Sequence, residues 1–204
     1  MSDELTPEII RQWNPADDAA LLTAWRELFP ELHGSEFPRR FQGRVLNRQQ
    51  AGWVFEHWVC SAFRQVVSTP DDHIIGPFTV PMESNERTKE EVDGLVALAW
   101  QGFLLQAKLE TRPVAFEPIA RLHLQVGRRP EGTLGLFFAQ GYSQAAEELV
   151  KELRPIRVLL FRVDEMHEAL TREPSLGMLE MVRWKWRMAL KLGRPDVSLL
   201  LAFE

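Results

Sequence analysis

An acid, an amide and a lysine stand close together in the stretch VDGLVALAWQGFLLQAKLE, residues 92–110: Asp93, Gln106 and Lys108. These residue types suit metal-assisted hydrolysis of a phosphodiester. Mg²⁺ takes hard oxygen ligands, keeps several of its waters and needs only one or two protein side chains. Asp93 would supply the charged oxygen and the Gln106 carbonyl a neutral one. Mg²⁺, or Mn²⁺ in its place, would polarise the phosphate and lower the pKa of a bound water, while Lys108 orients that water or offsets transition-state charge. Glu56, from an upstream helix, is the candidate for a further ligand, direct or through water.

That chemistry requires the three side chains on one face. Gln101 and Gly102 suit a tight turn between two apolar strands. With Trp100 opposite Phe103, Ala97 faces Gln106, Leu95 faces Lys108 and Asp93 faces Glu110. Side chains alternate, so Asp93, Gln106 and Lys108 share one face, and Val92, Val96, Leu98, Trp100, Phe103, Leu105, Ala107 and Leu109 take the other. Asp93 and Lys108 are then diagonal neighbours, roughly 7–8 Å apart at the backbone. A purely structural reading stays open, in which Lys108 pairs with Asp93 or Glu110 across the hairpin and Glu56 is a solvated flank beside His57.

The elements that must position these groups follow from periodicity. Residues 1–45 read as a helical lead-in, with Pro15 in a first helical turn and Leu21, Leu22, Trp25, Leu28 and Phe29 at helical spacing. A helix over 49–67 carries Val54, Phe55, Trp58, Val59, Ala62 and Val66 on one stripe, and Ser68, Thr69 and Pro70 mark its end. Strands are expected at 74–80, 92–100 and 103–109, then helix 116–128, strand 134–139, helix 144–153 and strand 157–163. A helix at 176–192 and an apolar run at 197–203 close the chain. The order implies an α/β fold with a central sheet flanked by helices. It divides into the lead-in 1–45, a core 46–171 and a C-terminal helix and tail 172–204.

Asp93 followed by Gln106-Ala107-Lys108 resembles the D…(E/Q)xK signature of the PD-(D/E)XK nucleases, most closely the Mrr-like restriction endonuclease branch. Gly52-Trp53-Val54-Phe55-Glu56 resembles that branch's GxxFE helix, and Phe137 through Ala146 its later passage from strand to helix. The resemblance covers about 49–170. It implies a restriction-endonuclease-like central mixed β-sheet flanked by helices, and a Mg²⁺-dependent DNA endonuclease with Asp93, Gln106, Lys108 and Glu56 as its site. The sequence departs from the pattern where Val92 replaces the proline before the metal Asp, and where Gln106 lowers the charge.

DNA needs cations to follow its phosphates, and 24 residues are Lys or Arg, only five of them Lys, against a net charge of −5. Arg183, Arg187 and Lys191 recur at i, i+4 and i+8 without acid partners, and Arg39, Arg40, Arg44, Arg48 and the pair Arg128–Arg129 extend the candidate track. One active site cuts one strand, so a homodimer or a transient pair on DNA is expected. The alternative function is a catalytically inactive nuclease-fold module that binds DNA or a protein partner.

Other classes are excluded. There is one cysteine, Cys60, read as a buried structural thiol, and five histidines lack zinc spacing. Neither GxGxxG, GxxxxGK[ST] nor GxSxG occurs. No apolar run approaches the roughly 18 residues of a membrane span, and the start carries acids where a signal peptide carries bases, so a cytoplasmic protein with no membrane association is expected.

Overall fold

In a computed structural model of the chain, residues 5–33, 38–64, 73–75, 78–82, 85–98, 101–172, 177–199 and 201 are described. Two short helices open it. In α1 (Pro7–Gln12) Pro7 fills the first turn, and the Thr6 hydroxyl accepts the Ile9 N–H. In α2 (Asp18–Leu28) the Asp17 carboxylate accepts the Ala20 N–H. The first-turn proline is thus Pro7, and Asp17, not Pro15, starts the main lead-in helix.

A small hairpin follows, β1 (Arg40–Phe41) and β2 (Arg44–Val45), turned by Gln42 and Gly43 with φ of 50° and 75°. Both turn residues are left-handed, the requirement of a two-residue turn that keeps the strand twist. Helix α3 (Arg48–Arg64) begins with a reciprocal cap: the Gln50 N–H donates to Asn47 Oδ1, and the Asn47 N–H to Gln50 Oε1. The expected terminus at Ser68, Thr69 and Pro70 lies outside the described residues.

The next strands are β3 (His73–Ile75), β4 (Phe78–Met82), β5 (Asn85–Val92), β6 (Gly94–Leu98) and β7 (Gln101–Lys108). After them come α4 (Phe116–Gly127), β8 (Leu134–Ala139), α5 (Gln144–Leu149), β9 (Val158–Arg162), α6 (Val163–Arg172) and α7 (Met178–Leu192). Five strands form the central sheet in the order β3-β6-β7-β8-β9. The β3/β6 and β6/β7 pairs are antiparallel, whereas β7/β8 and β8/β9 are parallel, so the sheet is mixed. β4 and β5 pair with each other as a separate ribbon. The described part of the 197–203 run holds no strand; Val197 and Leu199 pack as a buried tail.

Helices cover both faces. On one, α2, α3, α6 and α7 meet Phe103, Leu105, Ala107 and Leu109 of the β7 segment. On the other, Ile119, Leu122 and Val126 of α4 and Ala146 of α5 meet Leu104, Phe137 and Leu160. At Gly135 a Cβ would stand 2.9 Å from Leu122 Cγ, so only glycine lets α4 sit this close to β8.

Two expectations are corrected. The β6/β7 register sets Leu98 opposite Gln101 and Gly94 opposite Leu105, so Gln101 and Gly102 lie within β7 rather than in the turn. Residues 99–100, including Trp100 and its expected pairing, lie outside the described set. Ala97 meets Gly102 rather than Gln106, a slip of four residues, and because alternation has period 2 an even slip leaves every β7 side chain on its face. Second, Val92 ends the β4–β5 ribbon and packs with Leu104 and Tyr142, not on the face of Leu105.

Candidate active site

Asp93 occupies the bend between β5 and β6, where the chain leaves the ribbon and enters the central sheet. One step beyond the Gly94–Leu105 pair, it stands opposite Gln106 rather than Glu110. Where the main-chain ladder stops, its side chain takes over: Asp93 Oδ2 accepts the Ala107 N–H at 2.7 Å and the Gln106 side-chain amide at 2.5 Å. Among the described residues, no hydrogen bond goes to Oδ1. Behind the bend, the buried Cys60 thiol of α3 donates to the Asp93 carbonyl at 3.7 Å. Cys60 therefore braces the strand junction.

Gln106 and Lys108 alternate with the buried Leu105, Ala107 and Leu109 and are half-buried. Lys108 Nζ lies 3.4 Å from Glu110 Oε1, with both side chains partly exposed. That is the pairing of the structural reading, and a pair this exposed contributes little to stability.

Glu56 reaches the same place from α3. Burial pushes its carboxyl up to about 8, and the Asp93 charge pushes in the same direction, while Arg11 and Lys108 oppose them. Burial also raises Asp93, to about 6, against the Ala107 N–H and the Lys108 charge. Glu56, Asp93 and Lys108 thus feel one another, and Gln106 is bonded to Asp93. The structure gathers all four at one end of the β6/β7 pair.

The donor set fits the metal that the resemblance implies. Two carboxylates and an amide oxygen match Mg²⁺ or Mn²⁺ with water completing the shell, and not zinc. Among the described residues no three His, Cys, Asp or Glu side chains converge to hold an ion alone. The two acids stay raised by burial despite Arg11 and Lys108 beside them, and a divalent cation would favour their charged forms.

No family model matches the chain, and no curated protein matches its sequence. Solved structures resemble it. Can2 from Sulfobacillus thermosulfidooxidans, in complex with cyclic tetra-adenylate, is 15% identical with a TM-score of 0.46, over 81% of this chain and 54% of that one. The DNA modification-dependent restriction endonuclease AspBHI is 18% identical with a TM-score of 0.36, over 84% and 40%. The MspJI restriction endonuclease in complex with a 27-mer oligonucleotide is 16% identical at 0.36, over 97% and 40%. The likeness is one of arrangement, and the chain spans about half of their length or less.

The arginines divide. Arg39 Nη2 donates to Gln140 Oε1 at 3.1 Å, and Gln140 directly follows Ala139, the β8 partner of Lys108. This brings Arg39 to the end of the sheet that holds the site. Arg40 and Arg44 stand exposed on the small hairpin, and Arg48 is exposed at the start of α3. Arg183, Arg187 and Lys191 form an exposed row on α7, which packs on α3 and on β9, two strands from β7. That row is not free of acids: Arg183 Nη1 lies 2.5 Å from Glu180 Oε1. No helix among the described residues is long and apolar enough to cross a membrane.

Sequence reasoning missed Arg11 beside Glu56. Trp53, Glu56 and His57 share a face of α3 by their i, i+3, i+4 spacing, a signal present in the sequence. Arg11 comes from a separate helix, and no local pattern announces it.

Proposed function

We propose that this chain is a metal-dependent endonuclease of the PD-(D/E)XK kind, of the Mrr-like branch, that hydrolyses DNA phosphodiester bonds. The convergence of Glu56, Asp93, Gln106 and Lys108 at one sheet end, with both acids raised by burial, carries this reading. Asp93 and Glu56 would hold Mg²⁺ or Mn²⁺, with the Gln106 carbonyl as a neutral donor. When bound, the ion supplies Lewis-acid polarisation of the phosphate and a more acidic water.

The remaining work falls to the chain's own groups. Lys108 Nζ, held near Glu110, offsets the charge that grows on the phosphate and orients the attacking water. The Ala107 N–H and Gln106 amide fix the Asp93 carboxylate, so its free oxygen keeps one direction. Arg39, Arg40, Arg44 and Arg48, with the α7 row, would follow the DNA backbone. Cutting both strands would take two copies of the chain, as a homodimer or a pair formed on DNA.

The test is supercoiled plasmid incubated with Mg²⁺, with Mn²⁺ and with chelator. Nicked or linear product that depends on the ion supports the reading. Intact plasmid under every condition favours the second reading, a catalytically inactive module that binds DNA or a protein. One observation speaks for that alternative: Gln106 turns its NH₂, not its oxygen, toward Asp93, a closed arrangement that needs no ion.

A further inference from the structure

Between α1 and α3 lies an open cavity of about 120 Å³ lined by Pro7, Ile10, Arg11, Trp53, Glu56 and His57. Glu56, one of its lining residues, also belongs to the candidate active site. The hydrolysis itself uses none of the other five residues. Pro7, Ile10 and the Trp53 indole are apolar, and Arg11 is an exposed cation.

The wall that carries Arg11 is anchored. Gln50 Nε2 donates to the Leu5 carbonyl at 3.2 Å, and His57 Nε2 donates to the Trp13 carbonyl at 2.7 Å. Ile10, one residue before Arg11, is buried in the core. Arg11 is thus presented from a docked helix at a defined place beside Glu56.

An indole wall next to a guanidinium matches a nucleotide whose base is unpaired: the ring stacks on the base whatever its identity, and the cation takes the phosphate. We propose that this cavity is a substrate subsite for one unpaired nucleotide of DNA adjoining the phosphate to be cut, with its base against Trp53 and its phosphate on Arg11. The inference rests on Glu56 belonging to the hydrolytic site. A base inside an unbroken duplex would have to leave its stack to enter. The favoured substrate is therefore DNA with a flap, a gap or a melted end.

The experiment compares wild type, Arg11→Gln and Trp53→Leu, with Trp53→Phe as the conservative control. Affinity is measured in Ca²⁺ for a labelled single strand of about 15 nucleotides and for the matching duplex, and cleavage of flap and duplex DNA in Mg²⁺. Wild type should bind the single strand about tenfold more tightly than the duplex, and Arg11→Gln should lose about tenfold on the single strand only. The same variant should lower the slope of log K against log salt by about 0.7, the value for one phosphate contact on a single strand. Trp53→Phe should restore most of what Trp53→Leu loses. Equal single-strand affinity in wild type and Arg11→Gln would overturn the subsite, as would detectable cleavage of flap and duplex at equal rates. If the single-strand preference and its dependence on Arg11 hold while no DNA is cut, the hydrolytic reading falls, and what remains is a nucleotide-binding cavity that is no substrate subsite.

Discussion

Two lysines of this protein sit among carboxylates, and their surroundings differ. Lys185 of α7 is fully buried: its Nζ lies 2.6 Å from Glu165 Oε2 and 4.7 Å from the centre of the Phe161 ring. Glu165 Oε2 also accepts the Leu199 N–H, and its other oxygen lies 3.7 Å from Arg162, which in turn pairs with Glu147. Burial pulls Lys185 below the ordinary lysine range, with the Glu165 charge and hydrogen bond opposing. Lys108 is a third exposed, 3.4 Å from its nearest acid, with two desolvated acids near it. The first cluster is saturated and ties α6, α7 and the tail together. The second has more acid than base, which disposes it to take up a cation.

Removing one partner from the saturated cluster should have the largest effect. Lys185→Met leaves the buried Glu165 without its hydrogen-bonded cation and with only Arg162 at 3.7 Å, at a cost of about 3–5 kcal/mol, which lowers Tm by roughly 6–20 °C. Thermal melting of Lys185→Met beside the double variant Lys185→Met/Glu165→Leu checks this. The double variant should recover much of the loss, and a single variant that melts like wild type would erase the contrast.

At the open site the effect should fall on chemistry instead. Asp93→Asn keeps an oxygen for the Ala107 N–H, so the fold should survive while metal-dependent cleavage drops by about 100-fold or more. Cleavage assays paired with circular dichroism test it. Full activity in the variant would remove Asp93 from the site.

A smaller effect is expected in the pH dependence of stability without metal. Glu56 and Asp93 hold their protons to higher pH in the folded chain than in the unfolded one. Between about pH 4 and 8 the folded state binds more protons, so the contribution of these groups to stability falls as pH rises through that window. Denaturant midpoints in chelator from pH 5 to 8 should decline, and Glu56→Gln should flatten the decline. An equal decline in that variant would mean that Glu56 does not titrate as its burial dictates.

The smallest effect belongs to the α7 row. Replacing Arg183, Arg187 and Lys191 by Gln should lower the salt slope of DNA binding by less than about 0.9 per residue, because Glu180 already neutralises Arg183. A salt titration in Ca²⁺ reads it. An unchanged slope would leave the DNA track to Arg39, Arg40, Arg44 and Arg48.

What the sequence reveals here follows from its periods. The shared face of Gln106 and Lys108, and Asp93 beside them, is legible because alternation survives a slip by an even number of residues, here four. For the same reason the register is not legible, and Gln101-Gly102 draws the turn toward itself. The strand β5, NERTKEEV, is missed because five of its eight residues are charged and its partner lies outside the central sheet. The ten-residue α6 escapes because its apolar stripe, Val163, Met166, Ala169 and Leu170, is short and set among charged residues. Lys185 is hidden between Trp184 and Trp186 in a helix rich in exposed cations, and its partner Glu165 is 20 positions away. Long-range pairing leaves no local pattern.

Gly135 gives the spacing of the α4 layer a unit of exchange. The space a methyl group would need there is already filled by Leu122 and Val126, so volume at 135 and volume at 122 trade against each other. A sequence drifting toward alanine at 135 must shed carbon at Leu122 in step, or push α4 off β8, the strand whose far end lies beside Lys108. The two positions are coupled through the volume they share, and a library that samples them together should find folded members that a library of single changes misses.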